Sequence, residues 1–240
     1  GTDWLPLASD YAERMLPRIS PHFVAPRGQV YEPTGERHYR VALLSGCIMS
    51  TAFANIHEAT IRVLRRNNCQ VVIPPDQGCC GALHTHGGDL EGGRELARRN
   101  IAAFEAAGLD QVDAIIINAA GCGSTLKEYG HLLAGDPVWE PRAKAFAAKI
   151  KDVHEFLMSI PLNTADLRPL PLRVTYQEPC HLAHAQRITS QPRKLLAAIP
   201  QLQLLEMAES SLCCGSAGIY NITQPEMAGV LGARKVDNAT

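Results

Sequence analysis

The triplet Cys79-Cys80-Gly81 recurs late in the chain as Cys213-Cys214-Gly215. Each triplet follows a lone cysteine, Cys47 in the first case and Cys180 in the second. The stretch from Cys47 to Cys79 matches that from Cys180 to Cys213 to within a single position. Repetition at a fixed offset marks a duplicated structural unit, so the chain is constrained to fold as two similar lobes.

The hydrophobic pattern says what each lobe is. Val41-Ala42-Leu43-Leu44 reads as a short buried strand, followed by a helix with Phe53, Ile56, Thr60, Val63 and Leu64 on one face. Further strands at Val71-Val72-Ile73 and Ala114-Ile115-Ile116-Ile117 flank a helix carrying Ala97, Ile101 and Phe104. A mostly helical stretch runs from Pro141 to Leu157, and prolines between Pro161 and Pro171 mark a boundary near residue 165. Beyond it come a strand from Arg173 to Tyr176, a helix from Pro192 to Ile199, a strand from Leu202 to Leu205 and a helix from Pro225 to Val236. Strands alternating with helices imply an α/β fold, with a parallel sheet flanked by helices in each lobe. The expected division is a lead-in over 1–39, a first lobe over 40–164 and a second over 165–240. The lead-in holds Pro6, Pro17, Pro21, Pro26 and Pro33 without sustained periodicity, and is expected to be extended linker.

Composition narrows the partners. With 23 basic and 24 acidic residues and a net charge of −1, there is no basic excess to hold nucleic acid or an anionic membrane surface. Apolar runs such as Ala114 to Ala120 are far short of the roughly 18 residues that span a bilayer, and no signal-peptide core is present. These features place the chain in the cytoplasm or peripherally at the cytoplasmic face of the inner membrane. Eight cysteines in 240 residues are too few for a disulfide scaffold, and in a reducing compartment clustered cysteines bind metal or do redox work.

In an open parallel sheet, loops at the carboxyl ends of the strands converge on one crevice. Cys47, Cys79, Cys80 and Cys122 all follow strands of the first lobe, so their four thiolates are expected to meet there. Four thiolates suit a 4Fe-4S cluster or a zinc ion. Structural zinc sites use C-x₂₋₄-C knuckles, and no two cysteines of this chain have that spacing. Two adjacent cysteines also point in different directions, which a core with several iron corners accommodates better than one ion. Gly81 and Gly215 would let the backbone approach such a core. Cys47, Cys122 and Cys180 sit where a strand hands over to a helix, so free backbone N–H groups could donate to cluster sulfurs and raise the reduction potential.

The segments SGC at 45–47, GCCGALHTH at 78–86, NAAGCGSTLKEYG at 118–130, EPCHLAHAQ at 178–186 and LCCGSAG at 212–218 resemble the duplicated CCG-type cysteine-rich domain. That domain occurs in the iron–sulfur subunits of glycolate oxidase, anaerobic glycerol-3-phosphate dehydrogenase and lactate utilisation complexes, and in the cysteine-rich subunit of heterodisulfide reductase. The glycolate oxidase subunit is the nearest of these. The resemblance implies that Cys47, Cys79, Cys80 and Cys122 bind one 4Fe-4S cluster and that Cys180, Cys213 and Cys214 contribute to a second. It also implies an FAD in a partner dehydrogenase subunit that oxidises glycolate, with electrons leaving toward quinone and no substrate contact by this chain.

Three departures from the family pattern qualify this. No ferredoxin motif of the form C-x₂-C-x₂-C-x₃-C-P is present. Ala119 stands where the family has the first cysteine of a terminal C-x₂-C, which leaves Cys122 alone. A counterpart of Cys122 would fall near position 256, past Thr240, so the second lobe is expected to be incomplete. Its three thiolates could then be joined by His181 or His184.

Cys69, which matches nothing in the second lobe, is expected to be a core residue. His57, His84 and His86 are expected to make ordinary polar contacts rather than ligate, and Lys127, Glu128 and Tyr129 to form a solvated helix face. Two other functions stay open at this point: a heterodisulfide-type thiol redox enzyme, and a zinc-binding structural module.

Overall fold

In a computed structural model, which describes residues 19–216 and 220–239, the chain up to Asp152 builds one sheet. Its five strands are β1 (Gln29–Tyr31), β2 (Tyr39–Leu43), β3 (Cys69–Ile73), β4 (Ala114–Ile117) and β5 (Ile150–Asp152), in the order β1-β3-β2-β4-β5. All pairings are parallel except β1 with β3. In the centre Val41 stands beside Val71 and Ala42 beside Ile115, so the most apolar strands take the middle positions. The result is a mixed α/β fold with a mostly parallel sheet.

Helices cover both faces, because a strand buried on two sides presents alternate residues to two cores. Ala42, Leu44, Ile115 and Ile117 pack with Ala97, Ile101 and Phe104 of α4 (Leu90–Ala106), with Leu126 of α5 (Ala120–Lys127) and with Phe146 of α7 (Trp139–Ala148). Val41, Leu43, Ala114 and Ile116 pack with Ile61 and Leu64 of α2 (Ala54–Arg66) and with Phe156 of α8 (Val153–Leu157). The short helices α1 (Ile48–Thr51), α3 (Ala82–His86) and α6 (Tyr129–Leu132) complete this part.

After residue 165 the chain forms a two-stranded parallel sheet, β6 (Arg173–Thr175) with β7 (Gln203–Leu205). Around it lie a π-helical turn at His181–Ala185, α9 (Ser190–Ala197), α10 (Tyr220–Thr223) and α11 (Pro225–Asp237). The π turn packs on α5, where Gln186 Nε2 donates to the Ala120 carbonyl at 2.9 Å.

Four local expectations change. The lead-in is not all extended linker, since β1 pairs with the edge of the sheet; residues 1–18 of it lie outside the described residues. The helical stretch after Pro141 is broken by β5, whose Asp152 caps α8 in a reciprocal box with Glu155. The buried face of α2 is Ala54, His57, Thr60, Ile61 and Leu64, whereas Ile56 and Val63 are 43% and 42% exposed. Hydrophobic periodicity misplaced that stripe because it passed over His57, a polar residue that is buried with its hydrogen bonds satisfied. Tyr129 is fully buried rather than solvated, and Lys127 is tied to Glu155 at 2.7 Å; only Glu128 of that trio is exposed.

A cavity lined by seven cysteines

The six cysteines of the repeat, together with Cys122, line one cavity of about 650 Å³. Each follows a strand in chain order. Cys47 caps α1 shortly after β2, Cys79 and Cys80 lie on the loop after β3, and Cys122 is in the first turn of α5 after β4. Cys180 caps the π turn after β6, and Cys213 and Cys214 follow β7. Cys69, by contrast, is buried in the opposite core with its Sγ 3.3 Å from the Asn67 carbonyl, and does not line the cavity.

The thiols neighbour one another: Cys47 Sγ lies 3.7 Å from Cys79 Sγ, Cys80 adjoins both Cys79 and Cys122, and Cys180 adjoins Cys213. The neighbouring Cys122 and then burial push the Cys80 thiol up to about 12, and Cys80 in turn holds Cys122 below the usual thiol range. The contact with Cys79 and then burial likewise raise Cys47. Burial first, and then Cys213, raise Cys180. Thiols crowded in this way would bind a cationic core strongly, because the metal replaces the protons they now share.

Backbone donors point the same way. Gly81 N–H lies 3.5 Å from Cys79 Sγ and Gly215 N–H 3.3 Å from Cys213 Sγ. Both glycines have a φ of +82°, a conformation that side-chain-bearing residues resist, and this is what turns each N–H back onto its sulfur. Ser45 is fully buried on the cavity wall, and its hydroxyl makes no hydrogen bond among the described residues. Soft thiolates with N–H donors and an orphaned hydroxyl donor fit an iron–sulfur core, whose sulfurs accept hydrogen bonds. Among the described residues, no three His, Cys, Asp or Glu side chains converge closely enough to hold a single metal ion.

The histidines divide. His57 Nε2 is 2.8 Å from the Ser45 carbonyl and Nδ1 is 3.2 Å from Asn118 Nδ2, so the ring ties α2 to the loops that carry Cys47 and Cys122. Burial lowers its pKa and keeps it neutral. His84 is exposed and off the cavity, whereas His86, His181 and His184 line it. Ser124 gives its one proton to the Gly121 carbonyl at 2.9 Å, so His181 Nδ1, 2.9 Å from that hydroxyl, must be the donor to it. Burial, and then His86 with its ring centroid 5.1 Å away, keep His181 neutral, which leaves a lone pair on its Nε2. His184 Nε2 lies 3.4 Å from the Ser211 carbonyl.

Some residues that build the site gave no cysteine-like signal in the sequence. Asn100 on α4 accepts from Gly78 N–H at 2.8 Å and donates to the Cys79 carbonyl at 2.8 Å and to Tyr129 at 3.2 Å. The Tyr129 hydroxyl in turn donates to the Cys80 carbonyl at 2.8 Å. Gln77 accepts from Ser45 N–H at 2.8 Å and donates to the Leu43 carbonyl at 3.1 Å, which locks the Cys47 loop to the Cys79 loop. The one available clue was an amide inside the apolar stripe Ala97-Ile101-Phe104.

The sequence profile of the CCG cysteine-rich domain matches residues 41–127 and again 174–240. The chain is 49% identical over 194 residues to a probable glycolate oxidase iron–sulfur subunit of Bacillus subtilis, covering 80% of this chain and 43% of that protein. It is 35% identical over 198 residues to the glycolate oxidase iron–sulfur subunit of Escherichia coli, covering 82% and 48%. Lactate utilization protein A of an Exiguobacterium strain is 31% identical over 199 residues, with 82% of this chain and 80% of that protein aligned. The chain thus spans less than half the length of the two glycolate oxidase subunits. The two profile matches take in all seven cavity cysteines, and the chain belongs to the CCG cysteine-rich domain family.

Proposed function

We propose that this chain is the cluster-binding part of an iron–sulfur electron-transfer subunit in a flavin-dependent 2-hydroxy-acid dehydrogenase of the glycolate type. Cys47, Cys79, Cys80 and Cys122 hold one 4Fe-4S cluster, and Cys180, Cys213 and Cys214 contribute to a second. The lobes 40–164 and 165–240 are related by duplication, and each supplies one cysteine set. The partner is an FAD-containing subunit that oxidises the hydroxy acid, and quinone is the onward acceptor, met peripherally at the cytoplasmic face of the membrane. No helix among the described residues is long and apolar enough to cross a membrane. Glycolate rather than lactate is favoured by the 49% identity with the Bacillus subtilis protein.

The observation that carries this proposal is the placement of the six repeat cysteines and Cys122 on the wall of one cavity. A zinc site would draw its ligands toward a point, whereas these thiols surround a volume. Ala119, in place of a ligand cysteine, disfavours the heterodisulfide-type alternative. Bound clusters would supply reversible one-electron chemistry. The chain's own contribution is to hold the thiolates, exclude water through the buried Cys80 and aim the N–H groups of Gly81 and Gly215 at sulfur.

The test is anaerobic reconstitution with iron and sulfide, followed by dithionite and then an oxidised flavin. Visible absorption that bleaches on reduction and returns with flavin reduction supports the proposal. A colourless protein that takes up stoichiometric zinc instead would overturn it.

A further inference from the structure

The two cysteine sets differ electrostatically. Each Cys-Cys-Gly turn rests on the second helix after it: Gly81 lies against the backbone of Gly93 on α4, and Gly215 against that of Ala228 on α11. Superposing Gly93 on Ala228 in the sequence also aligns Arg99 with Arg234 and Asn100 with Lys235. Asn100 and Lys235 do equivalent work, since each is buried and ties its helix to the loop entering the cysteine pair. Asn100 does so with a neutral amide, through Gly78 N–H and the Cys79 carbonyl.

Lys235 Nζ donates to the carbonyls of Glu209 at 2.9 Å, Ser210 at 2.7 Å and Leu212 at 2.8 Å. A neutral amine has only two N–H bonds, so three donated hydrogen bonds require the ammonium form. Leu212 directly precedes Cys213, so this positive charge is anchored on the loop that enters the second pair of thiolates, on a residue only 7% exposed. Arg99 and Arg234 are both exposed; Arg234 pairs with Glu209, whose carboxylate also faces Lys235, while Arg99 Nε donates to the Asp76 carbonyl. A buried cation stabilises the reduced, more negative state of a nearby centre, and it is screened far less than a surface charge.

We propose that the centre at Cys180, Cys213 and Cys214 has the higher reduction potential of the two and is the electron's destination within this chain. With both centres bound, the transfer would move one electron, oxidising the centre at Cys47, Cys79, Cys80 and Cys122 and reducing the other, with no bond made or broken. This rests on the two-cluster proposal above.

The experiment is an anaerobic redox titration of the reconstituted chain, followed by electron paramagnetic resonance. Two separable signals are expected in the wild type. Lys235→Gln should lower the potential of the higher one and leave the other unmoved, while Lys235→Arg, which keeps the charge, should restore it. Cys214→Ser should remove the higher-potential signal and Cys80→Ser the lower, an assignment that does not depend on how Lys235 variants fold. The reverse assignment, or a Lys235→Gln variant with both potentials unchanged, would overturn the proposal. A single cluster lost on Cys80→Ser and retained on Cys214→Ser would overturn it while sparing the first cluster. Absence of any iron would instead bring down the cluster assignment itself.

Discussion

Replacing Tyr129 by phenylalanine isolates the polar clamp beneath the first cysteine pair. The ring is fully buried and stacks on Phe146 at 5.6 Å between centroids, a contact that phenylalanine preserves. What disappears is one hydroxyl, which donates to the Cys80 carbonyl at 2.8 Å and accepts from Asn100 at 3.2 Å. Asn100 keeps its bond to the Cys79 carbonyl, so the loss falls mainly on a buried Cys80 carbonyl left without its donor. Removing one partner so that a buried group is left unpaired costs about 1–3 kcal/mol, so roughly 2 kcal/mol of destabilisation is expected. For a chain of this size each 1 kcal/mol moves the melting temperature by about 2–4 °C, so a fall of about 4–8 °C is expected. Circular dichroism melts of the metal-free protein measure this directly. Alkylation of Cys80, which is only 3% exposed, should accelerate in parallel. Unchanged melting together with unchanged alkylation would refute the idea that Tyr129 anchors the cysteine loop.

Other outcomes follow from the same geometry. Gly215→Ala should cost more iron retention than Gly81→Ala, because the added carbon would sit 2.6 Å from the Ala228 carbonyl oxygen in one case and 3.3 Å from that of Gly93 in the other, on top of about 1–2 kcal/mol of left-handed strain in both. His57 has its folded-state pKa depressed below 6.5 by burial, so the unfolded chain takes up a proton before the folded one does. Stability of the metal-free protein is therefore full above about pH 6.5 and declines as the pH falls below it; denaturant titrations at pH 7.5 and 5.5 should show this, and His57→Gln should flatten the slope. Cys69→Ala should retain the iron content of the wild type and lose only about 1 kcal/mol of stability, since Cys69 packs in the core away from the cavity. Iron loss in that variant, measured by metal analysis, would mean the ligand set is wrong.

Strand positions were legible because the central strands are short apolar runs between turn residues, and Val41, Val71 and Ile115 carry that signal without ambiguity. The cysteine set was legible because a repeat offset survives whatever the intervening loops do. What escaped was polar and local. A three-residue strand such as Gln29–Tyr31 holds its place through pairing with Val71–Ile73, and nothing in its own pattern announces that. His57 and Tyr129 are buried because partners far along the chain satisfy them, at Ser45 and Asn118 in one case and at Cys80 and Asn100 in the other. A periodicity argument sees only their polarity. The charge difference between Asn100 and Lys235 was likewise invisible until the helices carrying them were seen to rest on equivalent turns.

The most direct test of the central claim is the iron, acid-labile sulfide and zinc content of the anaerobically purified protein, compared with a variant carrying Cys79→Ser and Cys80→Ser. Iron and sulfide in equal amounts, about four of each per cluster and reduced by about four in the variant, is the result this structure predicts. Stoichiometric zinc without sulfide, or iron that the double substitution leaves untouched, would contradict it.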